Sequence, residues 1–217
     1  MKTTILFLLI TFVTFGQVTF NEPKVQIKHD VLTFYLDSDN NSFISKQELK
    51  YTDFLKLDSE RDDKWHSEIK GVYSKKPYES SGYDLGHLTP SHITSYDNTV
   101  NFHSFSFYNQ SPQVANFNRG KWARLEKSVE DSISKYKSDV TIITGVVYDN
   151  NKKTYLNNSQ VKIPMSFYKI LFIKNKKLTY VWIGSNINGT VIGIKMKELN
   201  DVLKLNKNDL SFKSTQY

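Results

Sequence analysis

Phe107-Tyr108-Asn109-Gln110-Ser111-Pro112-Gln113, followed by Asn118-Arg119-Gly120-Lys121-Trp122-Ala123-Arg124-Leu125-Glu126, is the stretch from which the fold is read. Its second half opens a helix. From about Lys121 to Tyr136, the residues Trp122, Leu125, Val129, Ile133 and Tyr136 recur every three or four positions, which makes one apolar stripe on a helical period. Gly120 and the asparagines before it supply an entry. On a regular helix Glu126 stands about two turns beyond Asn118 and roughly 80° around it, at the border of the stripe. An amide oxygen and a carboxylate so placed can hold a hydrated magnesium ion, which keeps several waters and needs few protein ligands. A helix cap at Asn118 and a solvated charge at Glu126 are the plainer alternatives.

Outward from this helix the pattern changes. Val140 to Tyr148, Val161 to Ile173 and Leu178 to Ile183 are rich in β-branched and aromatic residues and read as strands; Met196 to Leu205 reads as a closing helix. Upstream, Val31 to Tyr35 reads as a strand, Asp39-Asn40-Asn41 as a turn, and residues 74–82 as loop. Strands, a helix and further strands without βαβ alternation predict an α+β domain with a mostly antiparallel sheet. No internal repeat, low-complexity stretch or linker divides the chain, so residues 17–217 are expected to form a single domain.

Asp37 to Glu48 places oxygen side chains at loop positions 1, 3, 5, 9 and 12, as a calcium-binding EF-hand does. Ser42 stands where the sharp turn needs glycine, and a strand precedes the loop where a helix belongs. A polar hairpin turn is the preferred reading.

The chain has 217 residues and a formal net charge of +7, which favours polyanionic partners or simply a soluble lysine-rich surface. It contains no cysteine, so disulfides, thiol chemistry and cysteine-based zinc sites are excluded. Lys2, the apolar run Ile5 to Phe15 and the small Gly16 make a signal-peptide pattern, too short to span a membrane. Residues 1–16 are therefore expected to be removed, lowering the charge by one for Lys2, and the mature protein is expected to be secreted or periplasmic.

Ser81-Gly82-Tyr83-Asp84-Leu85-Gly86-His87-Leu88 is the other chemical motif. A histidine is half neutral near pH 6.5 and can take a proton from water. The adjacent Gly86 would let a substrate backbone come close.

Together, Tyr83 to Leu88, Asn109 to Gln113 and Asn118 to Glu126 resemble the DNA/RNA non-specific endonucleases, a family that includes secreted bacterial nucleases and mitochondrial endonuclease G. Thr144-Gly145 ahead of Val146-Val147-Tyr148, and Ile163-Pro164 ahead of Phe167-Tyr168-Lys169, follow in the expected order. The resemblance spans roughly residues 80–175. It implies a ββα-metal nuclease fold, with a mostly antiparallel central sheet and flanking helices, acting on DNA and RNA. It makes His87 the general base, Asn118 the direct ligand to Mg2+ (or Mn2+), Glu126 the group orienting a metal-bound water, and Asn109 an organiser of the site. Arg119 and Lys121 are expected to contact substrate. The family motif reads Asp-Arg-Gly-His, and Leu85 stands where that arginine belongs. A second, upstream arginine has its nearest counterpart in Lys50, although Arg61, Lys64, Arg119 or Lys121 could compensate. These two departures motivate an alternative, a non-catalytic nucleic-acid-binding module on the same fold.

Overall fold

The computed structural model describes residues 18–21, 23, 25–57, 64–67, 74–208 and 210–214. The expected leader, residues 1–16, and Arg61 lie outside the described residues. The elements run β1 (Val18–Phe20), β2 (Val25–His29), β3 (Leu32–Leu36), β4 (Ser42–Leu49), α1 (Tyr51–Phe54), β5 (Tyr83–His87), α2 (Asn98–Ser104), β6 (Gln110–Val114), α3 (Ala123–Tyr136), β7 (Val140–Val147), β8 (Ser166–Ile173), β9 (Leu178–Ser185), β10 (Val191–Gly193), α4 (Met196–Leu205) and β11 (Phe212–Ser214).

The central sheet has the order β10-β9-β8-β7-β4-β3-β2, and every neighbouring pair is antiparallel. Its middle strands are apolar on both sides because both faces are covered. Alternation along a strand puts Ile142, Leu171 and Ile173 on one face and Ile143, Ile170 and Phe172 on the other. The first set packs against Val129 and Ile133 of α3. The second belongs to the cluster containing Leu199 and Leu203 of α4 and Phe212 of β11, which pairs with β1. The result is three layers, and the β5–β6 pair lies on the α3 side.

The helix expected from about Lys121 starts as regular α-helix at Ala123. Phe117–Trp122 forms a wider π-helical turn in which Gly120 leaves helical geometry, at φ −107° and ψ −105°. A straight-helix projection from Asn118 to Glu126 therefore does not apply. Such turns recur at functional sites because they redirect side chains within a helix. Lys137, in left-handed geometry at φ 48°, ends α3 and turns the chain into β7.

The Asp37–Glu48 stretch is a turn followed by strand β4, as the hairpin reading expects. Asp37 Oδ1 accepts the Asp39 and Asn41 amides at 2.9 and 2.8 Å. The nearly buried Lys162 ammonium lies 2.8 Å from Asp37 and 2.6 Å from Asp39. A lysine thus stands where a bound cation would. Glu48 pairs elsewhere, with Lys46 at 3.0 Å and Lys174 at 2.7 Å.

Candidate active site

Strand β5 carries the site. It pairs antiparallel with β6, with His87 opposite Gln110 and Asp84 opposite Gln113. Gly86 is required here because a Cβ would overlap the fully buried Gln113 side chain, meeting its Cβ at 2.6 Å. Gly86 therefore makes room for the protein's own glutamine, a different reason from the substrate approach expected from sequence.

His87 ends the strand half-buried among rings. Trp65 lies with its centroid 4.7 Å away, and Phe105 meets it edge-on at 5.1 Å. Trp65 reaches this position because residues 64–67 run beside 105–107: the His66 amide donates to Phe105 O at 3.3 Å, and the Phe107 amide donates to His66 O at 2.9 Å. The exposed Lys64 precedes that tryptophan.

Asn109 is fully buried. Its side-chain nitrogen donates to Thr89 O at 2.8 Å and Ser104 O at 2.7 Å, and its oxygen accepts the Thr89 amide at 2.8 Å. Its backbone carbonyl accepts the Leu88 amide at 2.7 Å. The Asn109 amide is spent on the backbone that follows His87, so its influence on the site runs through residues 88 and 89.

Asn118, on the π-helical turn, does not cap the helix. Its Nδ2 donates to Asp84 Oδ2 at 2.9 Å. Arg119 grips the same carboxylate with two bonds, Nε to Oδ2 at 2.9 Å and Nη2 to Oδ1 at 2.6 Å, and the carboxylate holds the guanidinium above its usual pKa. Asp84 is the hub of this cluster, and its role was not assigned from sequence. Lys121 projects into solvent nearby on the same turn.

Glu126 lies one turn into α3. Its Oε1 is 3.8 Å from Nζ of Lys169, which is 1% exposed on β8. Burial pushes the Glu126 carboxyl up to about 7, opposed by Lys169 and assisted by Glu130. Burial also lowers the Lys169 ammonium to about 8, opposed by Glu126. Among the described residues, no three His, Cys, Asp or Glu side chains gather as a metal cage. The oxygen donors this site offers are Asn118 Oδ1 and the Glu126 carboxylate, a hard set that fits a hydrated magnesium or manganese ion.

The structure thus gathers His87, Asn118, Arg119 and Glu126 around β5 and the start of α3. It does not bring Lys50 there. The amide after Lys50 donates to Asp139 Oδ1 at 2.9 Å, beyond the far end of α3. That helix has 14 residues and so is about 21 Å long. Leu85 faces away from the Asp84 cluster and packs with Tyr83 and Ile163 against buried Tyr78, Leu156 and Val161. Sequence reasoning missed Asp84, Trp65 and Lys169 as parts of the site. Lys169 had a local signal, a charge interrupting the alternate apolar residues Phe167, Leu171 and Ile173.

Comparison with known proteins identifies the family. The family model "DNA/RNA non-specific endonuclease" matches residues 11–215. "Nuclease C1" of Cunninghamella echinulata var. echinulata is 30% identical over 137 residues, covering 59% of this chain and 54% of that protein. "Salivary endonuclease" of Lutzomyia longipalpis is 28% identical over 109 residues, covering 46% and 26%. Mitochondrial endonuclease G of Homo sapiens is 25% identical over 131 residues, covering 56% and 43%. The chain therefore matches from about a quarter to about half the length of these relatives. In fold, it resembles a chain of the EndoG/EndoGI complex crystal structure with TM-score 0.69 and 21% identity, covering 82% of this chain and 83% of that one. On these findings the fold is the ββα-metal nuclease fold, and the chain belongs to the DNA/RNA non-specific endonuclease family.

Proposed function

We propose that this protein is an exported endonuclease that hydrolyses phosphodiester bonds in DNA and RNA with little sequence preference, using magnesium, with manganese as a substitute. The observation that carries the reading is the Asp84–Asn118 hydrogen bond, three residues before His87 on the same strand. It turns the Asn118 amide oxygen away from the carboxylate, and the strand that holds that carboxylate ends in a histidine that can act as a base. Asn118 would hold the ion directly and Glu126 would orient one of its waters. When bound, the ion supplies charge to offset that developing on the phosphate and the leaving oxygen.

His87 takes the proton from the attacking water, and Trp65 and Phe105 confine its ring. Asn109 steadies the backbone after it. Lys64, Arg119 and Lys121 are exposed cations adjoining these groups in the chain, suited to phosphates that every sequence presents. Leu85 leaves the strand without the family's arginine, and these side chains provide positive charge in its place. Export rests on the leader pattern of residues 1–16, and mass spectrometry of protein from culture medium should find Gln17 first.

The test is incubation with plasmid and with RNA, with and without magnesium. Cleavage should require the metal, stop with chelator, and fall about a hundredfold or more in His87→Ala, the scale of a lost general base, while circular dichroism stays unchanged. Salt-sensitive binding with no cleavage by the parent would replace this reading with the non-catalytic binding module.

A further inference from the structure

Lys169 is a fully buried charge at the centre of the sheet, and the family resemblance gives it no task. On the α3-facing side of β8 its neighbours two residues away, Phe167 and Leu171, are buried and apolar. Core packing alone does not call for an ammonium between them, because desolvating a charge is costly unless strong partners receive it. The partners here come from three separate elements. Nζ donates to Thr144 Oγ1 on β7 at 2.6 Å and to the Leu88 carbonyl at 3.4 Å, and it lies 3.8 Å from Glu126 Oε1 on α3. It also sits 5.2 Å from the Trp122 ring centroid. An ammonium has three donors, and three acceptors surround it.

Two of those acceptors adjoin the chemistry. Leu88 follows His87 directly, and Glu126 is the carboxylate assigned to the metal-bound water. Thr144 belongs to the sheet, the rigid part of the molecule. We propose that Lys169 is a positioning residue of the active site: its ammonium ties the backbone after His87 and the Glu126 carboxylate to the central sheet, so that base and carboxylate keep one fixed spacing. This rests on the nuclease reading above. The Leu88–Thr89 backbone is anchored on its other side by Asn109 and by the contact between Ser45 and Thr89 hydroxyls. Lys169 supplies the anchor that reaches across to α3.

The experiment compares the parent with Lys169→Met, which is similar in length but carries no donors. In magnesium, kcat should fall about a hundredfold, the scale of a displacement near 1 Å in a reacting geometry, while KM stays within about twofold because the phosphate contacts are untouched. In the metal-free protein, amide exchange at Leu88 and Thr89 should accelerate about tenfold beyond the change in β7 and β8, since a lost local anchor opens locally. A purely structural lysine would instead lower thermal stability, raise exchange across the sheet uniformly and leave kcat per folded molecule near the parent value. That result overturns the proposal. If Lys169→Met does not fold, Thr144→Val removes one acceptor at nearly constant shape, and the same two readouts should move in the same direction by smaller factors; no movement in either overturns the proposal. The exchange readout needs no cleavage, so a parent that cuts nothing defeats the nuclease reading, while uniform exchange across the sheet in Lys169→Met still overturns the anchor.

Discussion

Asp84 Oδ2 accepts a hydrogen bond from Asn118 Nδ2 at 2.9 Å, and that contact decides which end of the Asn118 amide faces outward. A carboxylate cannot donate, so the NH2 group must turn toward it and Oδ1 must turn away. In the proposed function, Asp84 would thereby present an acceptor for a cation without touching the cation.

Asp84→Ala should raise the magnesium concentration for half-maximal cleavage about ten- to a hundredfold, the usual cost of losing a group that orients a metal ligand. Arg119→Ala removes the other partner of Asp84 and should change that requirement much less. The magnesium-induced shift in melting temperature gives the same comparison without turnover. An unchanged requirement in Asp84→Ala would place the ion elsewhere.

Leu85→Arg restores the family residue but not its surroundings. Leu85 packs with Tyr83 and Ile163 on Tyr78, Leu156 and Val161. A guanidinium there meets apolar side chains, so the substitution should destabilise by about 1–3 kcal/mol and leave the cleavage rate no higher than the parent's. Urea unfolding alongside initial rates checks both. A faster enzyme with unaltered stability would show that the side chain swings out toward substrate.

Glu126 makes stability depend on pH. Its carboxyl titrates at about 7 in the fold against an ordinary value of 4.5. Between those values the native state holds a proton that the unfolded chain has released, so this group's contribution falls as pH rises from about 4.5 to about 7. Lys169, lowered from 10.5 to about 8, acts oppositely: the unfolded chain holds the extra proton, and stability recovers between about 8 and 10.5. Denaturant midpoints of the metal-free protein should trace both slopes. Glu126→Gln should abolish the descent between pH 4.5 and 7; persistence of the full descent would assign it to another group.

Lys162 occupies the cation position of the Asp37–Asn41 turn. Lys162→Met should cost about 2–3 kcal/mol, below the full loss for a broken buried pair because Asp39 is half exposed and water screens it. Calcium should leave the parent's melting temperature unchanged. A calcium-dependent rise in the parent would mean that the ion displaces the lysine.

The sequence by itself determined the elements with strong local periodicity. The stripe from Trp122 to Tyr136 contains α3, the runs after Val140 contain β7, β8 and β9, with β8 beginning only at Ser166 and not at Val161, and Met196 to Leu205 is α4. Each is set by side chains a few residues apart, so a short window suffices. The motifs around His87, Asn118 and Glu126 were also legible as chemistry. What surrounds them was decided by tertiary structure. Lys50 matched a local pattern, yet β4 delivers it to the far end of α3, while Trp65 arrives at His87 through backbone pairing with residues 105–107. Asn109 was expected to organise the site, and tertiary structure decides through what: its amide is bonded to the backbone of Thr89 and Ser104. Gly86 is glycine because of Gln113, and Leu85 is apolar because a small cluster lies beneath it. Strand order and register bring these partners together, and both depend on burying the apolar faces of the whole sheet at once. No local window carries that condition, so the sequence names the candidate groups and the assembled sheet decides which neighbours hold them.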